Sequence, residues 1–322
     1  MKRKAAKHNS EAKLLTQHWN RRKHTREHMK NVSQDWKVRV VPVTLISITL
    51  LFTALFLVLP LASVFAEAFR KGFVLYFASF ADKEGHAWLA IRLTIVCALI
   101  AVPLNVLFGV LAAWCIAKFN FWGKNALITL IDLPFAISPV VAGLVLILAF
   151  GKNSTLGGWL IEHGIQIIFS LPGIVLATIF VTVPFVAREL IPLMEEQGTL
   201  EEEAAVALGA NGWSIFWRVT LPNIKWGLLY GVILCNARAM GEFGAVSVVS
   251  GHITSTMTLP LHIEELWQSY NSNSTVAAFS LATILAALAL VTLVVKSYIE
   301  WKFKREREER HQLRPDGTFA PR

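Results

Sequence analysis

Two residues of opposite charge lie inside a long apolar segment of this 322-residue chain, and they are the first candidates for chemistry. Arg238 and Glu242 are four residues apart, so on a helix they share a face and can pair. Each charge costs about 2.5–3.5 kcal/mol at the centre of a membrane helix, and such groups usually face a helix bundle or a water-filled cavity. Two interpretations follow: a buried salt bridge that fixes helix packing, or an anion pathway in which Arg238 supplies positive potential and Glu242 restrains it.

Other polar and small residues belong to the same kind of apolar segment. Ser138 and Ser247 can donate hydrogen bonds to an oxyanion, although bonding to their own helix backbone explains them equally well. Asp132 precedes a Leu-Pro pair near the end of an apolar segment, which predicts a contact at a helix terminus or loop. Four glycines predict close approach between helices. They are Gly227, Gly231, Gly241 and Gly244.

A polar connection of about 30 residues precedes the segment that holds Arg238, and a connection this long usually has a function. Five glutamates lie within residues 195–203. Thr199 and Glu202 have the spacing of a capping box, which predicts the start of a short helix. The alanines that follow favour helix, and Gly209 and Gly212 allow a sharp reversal.

A second short amphipathic piece follows this reversal. It carries Trp213, Phe216 and Trp217, and we expect Leu221-Pro222 to end it. The two pieces predict a helix–turn–helix suited to the groove of a partner protein. A helix lying flat on the bilayer would explain the tryptophans but not the five acids.

The chain lacks the sequence motifs of common catalytic and metal sites. It has no G-x-x-x-x-G-K-[ST], H-E-x-x-H, G-x-S-x-G or paired-cysteine motif. Cys97, Cys115 and Cys235 are far apart within apolar segments, which predicts small buried side chains and no disulfide. We therefore predict no catalytic residue, no metal site and no cofactor bound by this chain. Energy for any uphill transport must then come from another chain or from an ion gradient.

The elements that position these residues are apolar helices. Hydrophobic residues make up 54% of the chain and charged residues 16%, with a mean hydropathy of +0.51. Soluble domains have about 45–50% and about 25%, respectively. Six segments are long enough to cross a hydrocarbon layer of about 30 Å. They are residues 40–66, 93–117, 126–150, 164–187, 226–251 and 276–295. We predict an all-α integral membrane protein with six transmembrane helices.

The distribution of charge predicts the orientation of these helices. The whole formal excess of +9 lies in the first 40 residues. Of the 31 Lys and Arg residues, 24 lie in the two tails and in the loops after predicted helices 2 and 4, whereas 4 lie in the other loops. Cytoplasmic segments carry the excess of Lys and Arg, so both termini are predicted to be cytoplasmic. The predicted organisation is a disordered basic tail (1–39), a six-span domain (40–299) and a charged tail (300–322).

The loop between predicted helices 4 and 5 resembles the signature of ABC-importer permease subunits, the binding-protein-dependent transport system permease family. That signature is E-A-A, three residues, G, nine residues, and I-x-L-P. It is matched by Glu203-Ala204-Ala205, Gly209, Val219 and Leu221-Pro222, with Val219 in place of the usual Ile. The resemblance covers residues 40–302 and implies that this cytoplasmic loop is a coupling helix seated in the cleft of a separate ATPase.

Three further runs resemble the oxyanion permeases of this family, most closely the sulfate/thiosulfate CysW type. They are residues 132–143, 236–251 and 259–264. This resemblance implies the permease subunit of an ATP-driven sulfate/thiosulfate importer in the inner membrane of a bacterium. The implied partners are a CysT-like second permease, a dimer of CysA-like ATP-binding subunits, an external or periplasmic binding protein and the lipid bilayer. ATP would be used by the partner ATPase, and no nucleic acid is expected.

Three alternatives stay open on the sequence. Molybdate permeases share the core Arg-Ala-x-Gly-Glu-Phe-Gly at residues 238–244, so a molybdate or tungstate permease, acting as a homodimer, fits as well. An ion-coupled secondary carrier or channel is the second alternative, although such carriers usually contain an internal repeat and none is seen. The third is a membrane scaffold whose basic tail binds anionic lipid or nucleic acid.

Overall fold

The computed structural model describes residues 42–80, 86–251, 253–269 and 271–312, and the regular structure of these residues is helical. The predicted basic tail (1–39) lies outside them, as do the last ten residues of the predicted C-terminal tail. We number the helices in chain order. They are α1 (Pro42–Ala68), α2 (Phe73–Ala78), α3 (His86–Lys118), α4 (Lys124–Ala136), α5 (Pro139–Phe150), α6 (Thr155–Glu162), α7 (Leu171–Gln197), α8 (Leu200–Ala207), α9 (Gly212–Met240), α10 (Gly244–Ser250), α11 (Leu259–Gln268) and α12 (Ser272–Gln312).

The chain divides into two compact units, one ending at Ser63 and the other beginning at Val64. The described part of the first unit is the N-terminal part of α1. The second unit contains the remaining helices, and α7 lies at its centre. Helices α3, α4, α5, α9 and α10 all pack against α7.

Four helices are long and apolar enough to cross a membrane. They are α1, α3, α7 and the part of α12 over Ser272–Lys302. Two further candidate spans are pairs of helices joined at a sharp bend, α4 with α5 at 112° and α9 with α10 at 50°. If each bent pair crosses once, the described residues contain the predicted six spans.

Proline and a buried carboxylate explain where the two bent pairs break. The first break, residues 137–138, precedes Pro139, and a residue before proline is disfavoured in helical conformation. Ser138, the residue before this proline, accordingly has a non-helical backbone, with φ −59° and ψ 137°, and Ile137 is extended as well. The second break, residues 241–243, contains Glu242, whose side chain begins the next helix. The predicted unbroken helices over 126–150 and 226–251 were therefore wrong at these two points.

The fourth predicted span is displaced along the chain. The sequence placed it at 164–187, whereas α7 begins at Leu171 and continues to Gln197. Gly164 has a φ of +78°, which interrupts a helix, and Pro172 favours a helix start at Leu171. As a result Arg188 and Glu189, expected just beyond the end of a span, lie inside α7.

Glycines bring α3, α7 and α9 into close contact. A Cβ atom on Gly109 of α3 would lie 2.7 Å from the Cβ of Val186, and one on Gly231 of α9 would lie 3.3 Å from the Cα of Val186. The side-chain amide of Asn105 on α3 also donates to the Thr182 hydroxyl of α7 at 2.6 Å. This packing places the α8 end of the unit and the second helix break at opposite ends of α9.

The other predicted packing glycines differ from one another. A Cβ on Gly227 would lie 2.4 Å from Leu193 Cδ2 of α7, and one on Gly244 would lie 2.8 Å from Pro139 Cβ. Gly241 is exposed, and a Cβ there would meet only the carbonyl oxygen of Ala237, at 3.7 Å. Its small size is therefore not required for packing, contrary to the sequence prediction.

Candidate functional site

Helix α8 forms the core of the connection between α7 and α9, and it begins at Leu200, as the sequence predicted. The capping box itself is absent. The Thr199 hydroxyl donates to Glu203 Oε1 at 2.6 Å and makes no capping bond, while Glu202 contacts other helices. The acids in the first turn still interact favourably with the positive end of the helix dipole.

Two of the glutamates fasten α8 to neighbouring helices. Glu202 Oε1 accepts from the Thr220 hydroxyl at 2.7 Å, and Glu202 Oε2 lies 3.2 Å from Lys118 Nζ of α3. The Lys118 and Glu202 side chains are only 6% and 17% exposed. Glu201 accepts from the side-chain amide of Asn223 on α9. Glu201 and Glu202 therefore bind within the chain.

Part of the surface of this region that remains uncovered is apolar. We call it the exposed apolar face. It consists of Leu200, Val206, Leu208, Trp213 and Trp217. Of the signature residues, Glu203, Ala204 and Pro222 are also exposed, whereas Ala205, Val219 and Leu221 are half-buried. Large exposed apolar side chains grouped in one connection between helices are typical of a protein interaction surface.

A left-handed glycine ends α8. Gly209 has a φ of +83°, its N–H donates to the Val206 carbonyl at 2.9 Å, and the Ala210 N–H donates to the Ala205 carbonyl at 3.0 Å. No atom lies within 4 Å of the position a Cβ would take, so glycine is needed for its backbone conformation and not for space. Gly212, also expected in the reversal, instead begins α9.

Helix α9 continues without interruption from the connection into the membrane segment. Asn211 caps it, because Asn211 Oδ1 accepts from the Ser214 N–H at 2.8 Å. A π-helical turn over Phe216–Thr220 leads directly into Leu221-Pro222. The expected end of the helix at Leu221-Pro222 was therefore wrong. Pro222 lacks an N–H, and it follows a turn whose hydrogen bonds are already irregular, so the helix tolerates it.

Arg238 and Glu242 form the predicted ion pair at the second break. Arg238 Nη1 lies 2.5 Å from Glu242 Oε2, and their side chains are 32% and 1% exposed. They do not share one helix face, because Glu242 follows the end of α9, and its Oε1 accepts from the Ala245 N–H of α10 at 2.9 Å. Glu242 thus holds the start of α10, while Arg238 is partly accessible.

The structure brings the two helix breaks together. A Cβ on Gly143 of α5 would lie 2.8 Å from the Ala245 carbonyl oxygen, and Gly244 lies equally close to Pro139. Ser138 is exposed in the first break and caps no helix with its side chain. The Ser247 hydroxyl donates to the Gly244 carbonyl at 2.9 Å, which is the local bonding the sequence left open.

Asp132 has a partner that the sequence did not indicate. Arg188 Nε donates to Asp132 Oδ1 at 2.7 Å, and Arg188 Nη2 donates to Oδ2 at 3.1 Å. The predicted contact at a helix terminus or loop was wrong, because the bond joins the interior of α4 to the interior of α7. The only sequence signal was Asp132 inside an apolar segment, because Arg188 was expected just beyond the end of its span.

Neither a metal cluster nor a disulfide is found in the part of the chain that the structure describes. The described residues contain no group of three His, Cys, Asp or Glu side chains that could hold a metal ion. Cys97 and Cys235 are buried, and Cys115 is half-buried; all three are free thiols.

Comparisons with known proteins give one consistent result. Residues 105–305 match the family model described as binding-protein-dependent transport system inner membrane component. The chain is 54% identical over 272 residues to the sulfate transport system permease protein CysW of Escherichia coli (strain K12), covering 83% of this chain and 92% of that protein. It is 34% identical over 270 residues to the sulfate transport system permease protein CysT of the same strain, covering 83% and 96%.

The fold also matches a solved transporter. A chain in the crystal structure of the bacterial alginate ABC transporter, in complex with an alginate pentasaccharide-bound periplasmic protein, superimposes with a TM-score of 0.68. The match covers 84% of this chain and 97% of that one, at 17% sequence identity. At this identity the match establishes the fold alone.

We predict that Glu202→Ala destabilises the protein, because it leaves the nearly buried Lys118 ammonium without its carboxylate and the Thr220 hydroxyl without its acceptor. The expected loss is about 2 kcal/mol, measured as a lower apparent Tm in detergent. The double variant Lys118→Met/Glu202→Leu should recover most of it, because it removes both charges together. Glu203→Ala is the matched control and should have little effect, because that side chain is exposed. Equal losses in Glu202→Ala and Glu203→Ala would contradict the assignment.

Proposed function

Because this chain belongs to the family of binding-protein-dependent transport system inner membrane components, in its CysW-like branch, we propose that it is the transmembrane permease subunit of an ATP-driven sulfate importer. The observation that carries the proposal is the 54% identity to a sulfate permease over 92% of that protein's length. As a family member it is a multi-pass inner-membrane protein and a permease, not the catalytic subunit.

The proposed substrate is sulfate, with thiosulfate, a slightly larger tetrahedral oxyanion of the same charge, as a second substrate. The core at residues 238–244 is equally compatible with molybdate, but the relatives quoted above are named as sulfate permeases. The molybdate and tungstate alternative therefore has no observation of its own in its favour. The similarity to CysT supports a second, homologous permease as the partner with which this chain forms the pathway.

The remaining partners complete the proposed importer. A binding protein on the external side delivers the anion, as the alginate transporter complex with its periplasmic protein suggests by fold. A separate ATPase dimer hydrolyses ATP, and this chain binds no cofactor. The proposed orientation places both termini and the connection between α7 and α9 in the cytoplasm, as the Lys and Arg counts predict.

The exposed apolar face is the proposed docking surface for the ATPase. It surrounds the signature residues Glu203, Ala204, Ala205 and Gly209, and its two tryptophans lie at the start of α9, which continues through Val219, Leu221 and Pro222. Large exposed aromatic side chains are the usual anchors of an interface. Since Glu201 and Glu202 hold α8 against α9, a force on this face acts directly on a membrane helix.

The pair of helix breaks is the proposed substrate region. Arg238 is its cation, Glu242 restrains that cation, and Ser138 and Ser247 are the neighbouring hydroxyls. Discontinuous helices commonly surround the substrate site in transporters. A partly neutralised arginine suits an anion that must be bound and then released.

The decisive experiment is transport by the complex reconstituted in vesicles with the second permease, the ATPase and the binding protein. We expect uptake of radiolabelled sulfate that requires ATP and the binding protein, and that is inhibited by excess unlabelled thiosulfate. Vesicles with the ATPase omitted are the control. Uptake of labelled molybdate by vesicles that take up no labelled sulfate would overturn the substrate, and uptake without ATP would overturn the mechanism.

A second prediction concerns the turn after α8. Gly209→Val should prevent the ATPase from co-purifying and abolish sulfate uptake, because a side chain at a φ of +83° costs about 1–2 kcal/mol and displaces the exposed apolar face. Gly212→Ala is the matched control, since it has open space around it and an ordinary backbone conformation. Normal co-purification and uptake with Gly209→Val would refute the docking assignment.

A third prediction separates the two interpretations of Arg238. Arg238→Gln removes the cation but also leaves the buried Glu242 carboxylate without its charge partner, so a loss of uptake alone is ambiguous. Arg238→Gln/Glu242→Gln removes both charges and keeps an acceptor for the Ala245 N–H. We expect sulfate uptake to be about ten-fold lower in both variants at normal assembly. Recovery of uptake in the double variant would make Arg238 a structural residue only.

A further inference from the structure

The ion pair between Asp132 of α4 and Arg188 of α7 belongs neither to the two helix breaks nor to the exposed apolar face. Two N–H groups of Arg188 bind both carboxylate oxygens of Asp132. The Arg188 guanidinium carbon also lies 4.8 Å from the centre of the Phe135 ring. Despite these contacts the Arg188 side chain is 57% exposed and the Asp132 side chain 32% exposed. The pair therefore lies at the surface of this chain.

Two lysine contacts nearer the α8 end show how far along the helices the Asp132–Arg188 pair lies. Lys118 Nζ donates to the Gly198 carbonyl, just beyond α7, and Lys124 Nζ lies 3.4 Å from Glu195 Oε1. Asp132 is eight residues beyond Lys124 on α4, and Arg188 is seven residues before Glu195 on α7. At 1.5 Å per residue the pair lies about 11–12 Å further from the α8 end.

Charges at such depth face a helix bundle, a water-filled cavity or another subunit, but not lipid. The bundle of this chain does not enclose the pair, because more than half of Arg188 is exposed. The neighbouring Glu189 is different: its Cβ lies against Gly231 of α9, on the packed side of α7. The first helix break begins five residues after Asp132, so the exposed pair and the proposed substrate region belong to the same broken span.

We propose that Arg188, held by Asp132, is a second cationic contact for the transported oxyanion, on a water-filled face formed by α4 and α7. This inference rests on the proposed function. Val186 of α7 contacts Gly231 of α9, and these helices run in opposite directions. Arg238 lies seven residues beyond Gly231 on α9, toward α10. Arg188 lies two residues beyond Val186 on α7, toward α8. The two cations are therefore separated by about 13 Å along the helix axis, with Arg188 nearer α8.

The geometry of Arg188 suits a transient contact. A guanidinium has five N–H donors in a planar fork that matches an oxyanion, and Asp132 engages two of them. Asp132 also fixes the plane of the fork and, by pairing with it, lowers the cost of a charge at this depth. An anion leaving Arg238 would thus meet a second, partly neutralised cation before it reaches the α8 end.

The test uses Arg188→Cys in the reconstituted complex, with the native cysteines retained and the labelling of the parent complex subtracted. Leu130→Cys is the matched control, because Leu130 is an exposed apolar residue of α4 two positions from Asp132. Two thiol reagents are compared, a trimethylammonium-ethyl and a sulfonato-ethyl methanethiosulfonate. The cysteine thiolate displaces methanesulfinate from either reagent and forms a mixed disulfide, which restores a cation or adds an anion at position 188.

We expect Arg188→Cys to lower sulfate uptake about ten-fold, the cationic adduct to restore it several-fold, and the anionic adduct not to restore it. Position 188 should be labelled at least about ten times faster than position 130, because only the former faces water. No labelling at position 188 would overturn the proposal by showing that another subunit or lipid covers the pair. Equal effects of the two adducts would overturn it as well, because charge would then be irrelevant.

Two further variants cover the case in which Arg188→Cys does not assemble. Arg188→Lys keeps a cation at position 188, whereas Arg188→Gln removes it, so the lysine variant should retain several-fold more sulfate uptake if this charge contacts the anion. Equal losses in these two variants at normal assembly would show that the pair only joins α4 to α7. The parent complex tests the proposed function separately: if it does not take up sulfate that function fails, while the labelling at position 188 still reports whether the face is wet.

Discussion

The contact of Val186 with the backbones of two neighbouring helices is the constraint from which the remaining structure follows. Val186 is fully buried, and the glycines opposite it, Gly109 on α3 and Gly231 on α9, leave no room for a side chain of their own. Lipid provides little hydrophobic driving force between helices, so close packing of small residues and hydrogen bonds hold them together. The bond from Asn105 to Thr182 crosses the same interface, which makes α3, α7 and α9 a single packed unit.

Charge on this packed unit occurs in pairs whose burial differs with position. Glu202 is largely covered, as is Glu242, and each also accepts a hydrogen bond that begins or fastens a helix. A buried carboxylate needs such additional donors, because the pairing alone does not repay the loss of water. The arginine side chains are less buried, because Arg188 and Arg238 both remain partly exposed. Glu202 and Glu242 are thus largely buried and fasten helices, whereas Arg188 and Arg238 remain partly exposed.

The sequence was sufficient for the apolar segments, the family signature and the Arg238–Glu242 pair, because each depends on local spacing. It was insufficient for the helix breaks. Pro139 begins a new helix, whereas Pro103, Pro184 and Pro192 lie inside unbroken ones, and the local sequence around them does not distinguish the two cases. The partners of the charged residues could not be predicted from the sequence either. Asp132 and Arg188 are 56 residues apart, and the glutamates of α8 bind residues of α3 and α9 that become neighbours only after packing.

The continuity of α9 decides how a force on the connection can reach the helix breaks. This helix runs from Gly212 to Met240, about 43 Å at 1.5 Å per residue, with Trp213 and Trp217 near one end and Arg238 near the other. Its one irregular turn, Phe216–Thr220, is the natural place for it to bend. Thr220, however, is buried and its hydroxyl donates to Glu202. Bending there would break this hydrogen bond and separate Glu202 from Lys118.

Rigid-body movement of α9 therefore costs less free energy than bending at this turn. Because Gly231 of α9 packs against Val186 of α7, α7 must move together with α9. Because Gly244 packs against Pro139, the second helix break must press on the first. Under the proposed function, closure of the ATPase would consequently displace Arg238 and the helix breaks together. Arg238 and the helix breaks around it would then change position in one step, which couples release of the anion to the movement of α8.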